Sequence, residues 1–295
     1  MGTSSAFGGQ SGGTPLVPSW LEDGGSPPAS PPVAPPLPPL PAPQQPSVAP
    51  LALPPSPPPI PPGGDASRFS SARSNFSRFA RSGGNDRKSL GRAVSQYVRS
   101  SNGSARTASS RMGSSRGAGS RLIGFLSDAV ERGPSEALRA LDLVALAGRP
   151  IEEIFLGLVD YICPDGGSID EGIAREAFIE TITDLAGAGI TDMNDFTAAQ
   201  MQTVFELFAT NAIEARLCND IGAKTIILPS DAREAMRVQQ QLHDFIRRAV
   251  ADALSSTSAI PGALSPGRAL QFVDGIYQQA FGILQIMGEA ETDTP

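Results

Sequence analysis

The chain has 295 residues, with 23 Lys and Arg, 30 Asp and Glu, one His, two Cys and a net charge of −7. His243, Cys163 and Cys218 are too few for a structural zinc site or a disulfide-stapled fold, so we expect no metal and no cofactor. No apolar run is long enough to span a bilayer and no signal-peptide pattern follows the start, which favours a cytoplasmic protein without a membrane anchor.

The first 65 residues read as a tail rich in Gly and Pro. They hold no basic and three acidic residues, and 21 of the 28 prolines lie between Pro15 and Pro62. Proline donates no backbone hydrogen bond and this composition buries little apolar surface. We therefore predict a disordered, extended tail over residues 1–65 with a bias towards polyproline II.

The start of this tail carries a candidate modification site. Gly2 is small, so removal of Met1 is expected to leave a free glycine amine. The myristoylation pattern requires Ser or Thr at position six and finds Ala, which argues against a lipid anchor.

A second feature of the tail is the only tryptophan in the chain, Trp20. It lies beside Leu16, Val17 and Leu21 in a segment that cannot bury these side chains itself. Tryptophan is a favoured anchor at protein interfaces. We therefore predict that these four residues dock on a partner.

Residues 66–121 form a basic segment, predicted to be weakly helical. The segment contains eleven Arg, one Lys and a single acidic residue, Asp86, for a net charge of +11, and Ser and Gly are common between them. Positive charge with interleaved aromatic residues is typical of nucleic-acid binding. The guanidinium groups could equally bind carboxylates, either on a partner protein or on the acidic body of the chain. The predicted anchors on an acidic partner surface are Arg78, Arg81, Arg111 and Arg116.

Residues 122–290 are predicted to form an acidic α-helical domain. Apolar residues recur at i, i+3 and i+4, and the pairs Ser168/Glu171 and Thr197/Gln200 read as capping boxes. We expect helices near 135–147, 150–163, 169–187, 197–220, 231–256 and 266–288, with one short possible strand at 225–228. The predicted fold class is an all-α helical bundle preceded by the tail and the basic segment.

No catalytic constellation emerges from the sequence. His243 has Asp244 beside it, but adjacent helical residues do not face each other, so we predict a packing or capping role. Glu176, Glu180 and Asp184 follow at i, i+4 and i+8, which is typical of a solvated acidic face. The two cysteines fall in apolar helical stretches and are predicted to be inert thiols. We predict a protein that is not an enzyme.

In combination, several strings resemble the QatB family of the Qat anti-phage defence systems of bacteria. None of these strings is specific alone. They are residues 1–4, 13–21, 75–83, 97–99, 111–116, 169–175, 178–180, 214–217 and 219–222.

The resemblance implies partners and a role. Proteins of this family are encoded beside a P-loop ATPase, a QueC-like enzyme and a TatD-like nuclease, and they carry no known catalytic motif. QueC-like enzymes join an activated deazaguanine carboxylate to an amine, so the resemblance implies that Gly2 is the acceptor. An α-amino group has a pKa of about 7.7–8.0, which leaves a fraction neutral and nucleophilic near neutral pH. The expected function is a helical adaptor with a modifiable N-terminus, and the alternative is a nucleic-acid-binding module centred on residues 66–121.

Overall fold

Helical spacing of apolar residues produces an all-helical structure throughout the described part of the chain. A computed structural model describes residues 68–100, 104–194, 196–222, 228–257 and 265–293. The helices are α1 (Ser70–Arg81), α2 (Arg87–Ser100), α3 (Ala105–Ser110), α4 (Ser114–Arg132), α5 (Pro134–Arg139), α6 (Ile151–Ile162), α7 (Ile169–Gly187), α8 (Ala198–Ile221), α9 (Ala232–Ser255) and α10 (Pro266–Asp293). No strand occurs in these ranges, so the predicted all-α fold is confirmed for them. The predicted tail and residues 225–227 of the possible strand lie outside the described residues.

The two predicted capping boxes set the starts of α7 and α8. The Ser168 side chain accepts from the Glu171 backbone N–H at 3.2 Å, and the Glu171 carboxylate accepts from the Ser168 backbone N–H at 2.9 Å. Thr197 and Gln200 repeat this reciprocal pair ahead of α8. Each box satisfies two backbone donors that a helix start otherwise leaves unpaired.

The predicted helix over 135–147 is wrong in its second half. The helix α5 ends at Arg139, and a single 3₁₀ turn follows at Val144–Leu146. Asp142 lies between them in a left-handed conformation with φ of 60°, which an α-helix cannot continue through. An Asp tolerates this conformation better than most residues, but apolar spacing alone carries no sign of it.

The basic segment is helical over most of its described length and packs on the body. Phe76, Phe79 and Tyr97 are among the buried residues of α1 and α2, and they belong to the same apolar core as the later helices. Helix α4 runs through the boundary expected between residues 121 and 122. All the described residues belong to one unit, Ile60–Pro295.

Helix α10 lies at the centre and contacts α2, α3, α4 and α9. Where α10 packs on α2, Gly91 and Gly288 face each other. A Cβ added at Gly288 would lie 2.5 Å from the Gly91 carbonyl oxygen, and one added at Gly91 would lie 2.7 Å from the Gly288 carbonyl oxygen. Only glycine allows the two backbones to come this close.

Candidate functional site

Three arginines of the basic segment pair with carboxylates of the body. Arg111 donates from Nη2 and Nε to one oxygen of Asp220, at 2.8 and 3.2 Å. Arg116 donates to both oxygens of Asp274, and this hydrogen bonding raises the pKa of its guanidinium. Arg99 pairs with Glu289 at 2.6 Å on the surface. The predicted anchors Arg111 and Arg116 are therefore engaged within the chain.

The pair Arg111–Asp220 belongs to a larger polar network. The Tyr97 hydroxyl donates to Asp220 at 2.9 Å, and Arg216 lies 3.4 Å from the other Asp220 oxygen while it also donates to Asp170. The Asp220 and Arg216 side chains are only 6% and 11% exposed. Burial alone would lower the pKa of Arg216, but the two carboxylates outweigh it and the pKa is raised. Burial raises the pKa of the Tyr97 hydroxyl, which therefore acts as a donor.

This network connects separate strings of the chain that carry the family resemblance. Its members come from residues 97–99, 111–116, 169–175, 214–217 and 219–222. Gly113 also contributes, because a Cβ there would overlap the Asp170 carboxylate. The network also fixes the first described aromatic residue, Phe69, whose ring stacks on Tyr97 at 5.0 Å and lies 5.2 Å beneath the Arg111 guanidinium. These strings therefore hold Phe69, near the start of the described residues, against the helical body.

The other two predicted anchors, Arg78 and Arg81, lie in the last turn of α1. Both side chains are exposed. Arg78 makes one long hydrogen bond to the Asn75 amide oxygen, at 3.4 Å, and neither arginine forms an ion pair with a described residue. The structure therefore presents these two guanidinium groups to solvent.

Three acidic residues of α7 line a cavity of about 470 Å³ against α8 and α9. Glu176, Glu180 and Asp184 share it with Glu214 and His243. His243 Nδ1 lies 2.9 Å from Glu214 Oε2, and this hydrogen bond raises the pKa of the imidazole despite partial burial. The sequence placed these carboxylates on a solvated face. It did not place Glu214 and His243 opposite them, because the three helices meet only in the tertiary structure.

Cys218 also lines this cavity, but its chemistry is unsuited to nucleophilic attack. Burial, with Glu214 and Glu176 nearby, raises the pKa of its thiol to about 12. Burial likewise raises the pKa of Cys163 to about 11, and its thiol donates to the Ala174 carbonyl oxygen. A thiol with so high a pKa is almost wholly protonated near neutral pH, so neither group supplies a thiolate.

Within the described ranges, no three His, Cys, Asp or Glu side chains are arranged to hold a metal ion. No described helix combines the length and apolar character needed to cross a bilayer. Gly2, Leu16, Val17, Trp20 and Leu21 lie outside the described residues, and their roles remain predictions.

A family model for the Qat anti-phage system associated protein QatB matches residues 103–284, more than half of the sequence. The chain belongs to the QatB family. The match extends from residue 103 through most of α10, and α1 and α2 precede it. Comparisons with curated proteins and with solved structures found no match. The chain is thus a component of the Qat anti-phage system.

Proposed function

We propose that the chain is a non-enzymatic adaptor subunit of the Qat system, working in the cytoplasm. Its helical body would bind other components, and its N-terminal tail would present Gly2 to a QueC-like partner enzyme. The observation that carries the adaptor function is the pair of exposed arginines, Arg78 and Arg81, on a helix whose other face is packed into the core. The proposed partners are the P-loop ATPase, the QueC-like enzyme and the TatD-like nuclease of the same system.

Arg78 and Arg81 are the proposed contact with the P-loop ATPase. Arginine binds carboxylates through two parallel hydrogen bonds, which suits recognition of an acidic protein surface. The double variant Arg78→Ala/Arg81→Ala should weaken capture of the ATPase at physiological salt. The matched control is Arg139→Ala/Arg149→Ala, which removes two exposed arginines from other elements.

One result of this capture experiment, and one result of a nucleic-acid binding assay on the same variant, would decide against the proposal. Equal ATPase capture by the wild type and the Arg78→Ala/Arg81→Ala variant would contradict the proposed contact. Salt-dependent binding of DNA or RNA that this variant abolishes would favour the nucleic-acid-binding alternative. Arg111 and Arg116 already pair with Asp220 and Asp274, so the proposed contact with a partner is limited to Arg78 and Arg81.

Gly2 is the proposed acceptor of a deazaguanine-type group. After loss of Met1, its neutral amine would attack the activated carboxylate and form an amide, with release of the activating group and a proton. Gly2→Pro should abolish the reaction because a ring-bound secondary amine restricts the approach. Gly2→Ala keeps a primary amine and should retain part of the activity. A plaque assay with the complete system measures both variants, and protection by Gly2→Pro equal to that of wild type would refute the role of Gly2.

A further inference from the structure

The start of α2 and the middle of α9 meet at a corner that the functions above leave unused. Arg87, Gln241, Asp244 and Arg248 line a cavity of about 430 Å³ there, and we name these four residues the α2–α9 corner. The turn between α1 and α2 rests on α9, where Arg237 donates to the Gly83 carbonyl oxygen at 3.5 Å. Residues about 150 positions apart in sequence thus form one surface.

The corner offers two arginines without an ion-pair partner in the part of the chain that the structure describes. A third arginine in the cavity wall, Arg247, is neutralised by Glu206 at 2.9 Å. Arg87 and Arg248 are exposed and form no ion pair within the described ranges. The Arg248 guanidinium lies 5.5 Å from the centre of the Phe245 ring and its Nε donates to the Asp244 carbonyl oxygen at 3.3 Å, so it is held in place. Among the described residues, no hydrogen bond uses its remaining N–H groups, which can bind an acceptor.

The corner also offers acceptors. Gln241 Oε1 is buried and has no hydrogen-bond partner among the described residues. Asp244 lines the same cavity, and Glu291 lines a smaller second cavity that shares Arg87, Gln241 and Arg248 with it. A buried acceptor without a donor is unfavourable, and a ligand that brings an N–H group relieves it.

The complement of this mixed surface must carry both carboxylates and N–H groups. A phosphate group carries only acceptors, so it would satisfy Arg87 and Arg248 but would meet Gln241 Oε1 and two carboxylates without a donor. An acidic peptide carries side-chain carboxylates for the arginines and backbone N–H groups for the acceptors. We infer that the α2–α9 corner binds an acidic peptide segment of a partner protein.

This inference rests on the proposed adaptor function for its natural ligand, and a defined probe tests it independently. The probe is a fluorescein-labelled six-residue peptide in which Gly alternates with Asp and Glu, and its Asn/Gln counterpart is the uncharged control. Fluorescence anisotropy of the full chain at low salt should show binding of the acidic probe only. Arg87→Glu/Arg248→Glu should weaken it about tenfold or more, because two attractive charges become repulsive.

The control variant is Arg132→Glu/Arg268→Glu, which makes the same charge change elsewhere. Arg268 lies about 35 Å along α10 from Glu291 at 1.5 Å per residue, so it cannot contribute to the corner. This control should bind the acidic probe like the wild type. Gln241→Leu should weaken binding of the acidic probe about threefold because one hydrogen bond is lost, whereas inorganic tripolyphosphate, which carries only acceptors, should not compete with the probe. Thermal melting confirms that each variant is folded.

Three outcomes would overturn the inference: no binding of the acidic probe, equal losses in both double variants, or tripolyphosphate binding that depends on Arg87 and Arg248 while the peptide does not bind. Failure of the ATPase to bind Arg78 and Arg81 would instead remove the proposed partner contact and leave the peptide result intact. The two failures are therefore distinguishable.

Discussion

Removal of the Asp220 carboxylate is the most informative perturbation of the helical body. Asp220 accepts from the Tyr97 hydroxyl and from Arg111, and it lies beside Arg216. Asp220→Ala leaves two guanidinium groups and one hydroxyl without this acceptor. Arg216 would keep only Asp170 as an ion-pair partner.

The size of the expected loss in stability depends on how deeply Asp220 and its partners are buried. Removal of one partner from a buried ion pair costs about 3–5 kcal/mol, because an uncompensated charge stays behind. Asp220 is 6% exposed but Arg111 is 24% exposed, so water can solvate part of the freed charge. We therefore expect the low end, a loss of about 3 kcal/mol in the free energy of unfolding. Tyr97→Phe removes one hydrogen bond and should cost about 1–2 kcal/mol.

Urea denaturation of the full chain near neutral pH measures these losses, with Glu289→Ala as the matched control. Glu289 also pairs with an arginine, Arg99, but the two side chains are 40% and 57% exposed. An exposed pair contributes less than about 1 kcal/mol, so the control should change little. In a double-mutant cycle, Tyr97→Phe and Asp220→Ala should be less than additive, since both remove the same hydrogen bond. If Asp220→Ala costs no more than Glu289→Ala, the network does not stabilise the fold.

Three further predictions concern separate parts of the chain. Gly288→Ala should destabilise the fold by about 1–3 kcal/mol, because the added methyl group would clash with the α2 backbone. Gly172→Ala is the control: its methyl group would meet nothing within 4 Å, so the change should be neutral or stabilising. Thermal melts compare the two variants. In urea titrations, His243→Gln should lower the free energy of unfolding by about 1 kcal/mol near pH 5.5 and by less near pH 8.5. The folded state raises the pKa of His243, so its ion pair with Glu214 stabilises the fold fully below about pH 6.5. This stabilisation is lost as the pH rises through the pKa of the folded state. A loss that is equal at both pH values would contradict this assignment. Trp20→Ala should leave the melting temperature unchanged yet reduce phage defence in a plaque assay, and a large fall in melting temperature would place Trp20 in the core instead.

Local signals in the sequence predict much of the fold. Ser168 with Glu171 and Thr197 with Gln200 identify two helix starts within one residue, because a capping box is made by residues three positions apart. The predicted bounds of α7 agree with the structure. Asp142 shows the limit, since its left-handed backbone divides a stretch whose side-chain spacing is helical throughout.

Long-range pairing could not be predicted in the same way. Arginine is compatible with a partner protein, nucleic acid or the chain's own carboxylates, and only the packing of α4 against α10 pairs Arg116 with Asp274. The Gly91–Gly288 contact could not be predicted either, because a glycine within a helix can equally be interpreted as a residue that simply lowers helix propensity. The acidic cavity needed three helices to bring Glu214 and His243 to the α7 carboxylates.

The most direct test of the adaptor account is the mass of the N-terminal peptide. The chain is co-expressed with its QueC-like neighbour, either active or carrying an inactivating substitution, and the peptide that begins at residue 2 is analysed by mass spectrometry. The account predicts the added mass of a deazaguanine-type group on Gly2 only with the active enzyme and ATP, and none on Gly2→Pro. An unmodified Gly2 in cells that resist phage through the intact system would contradict it.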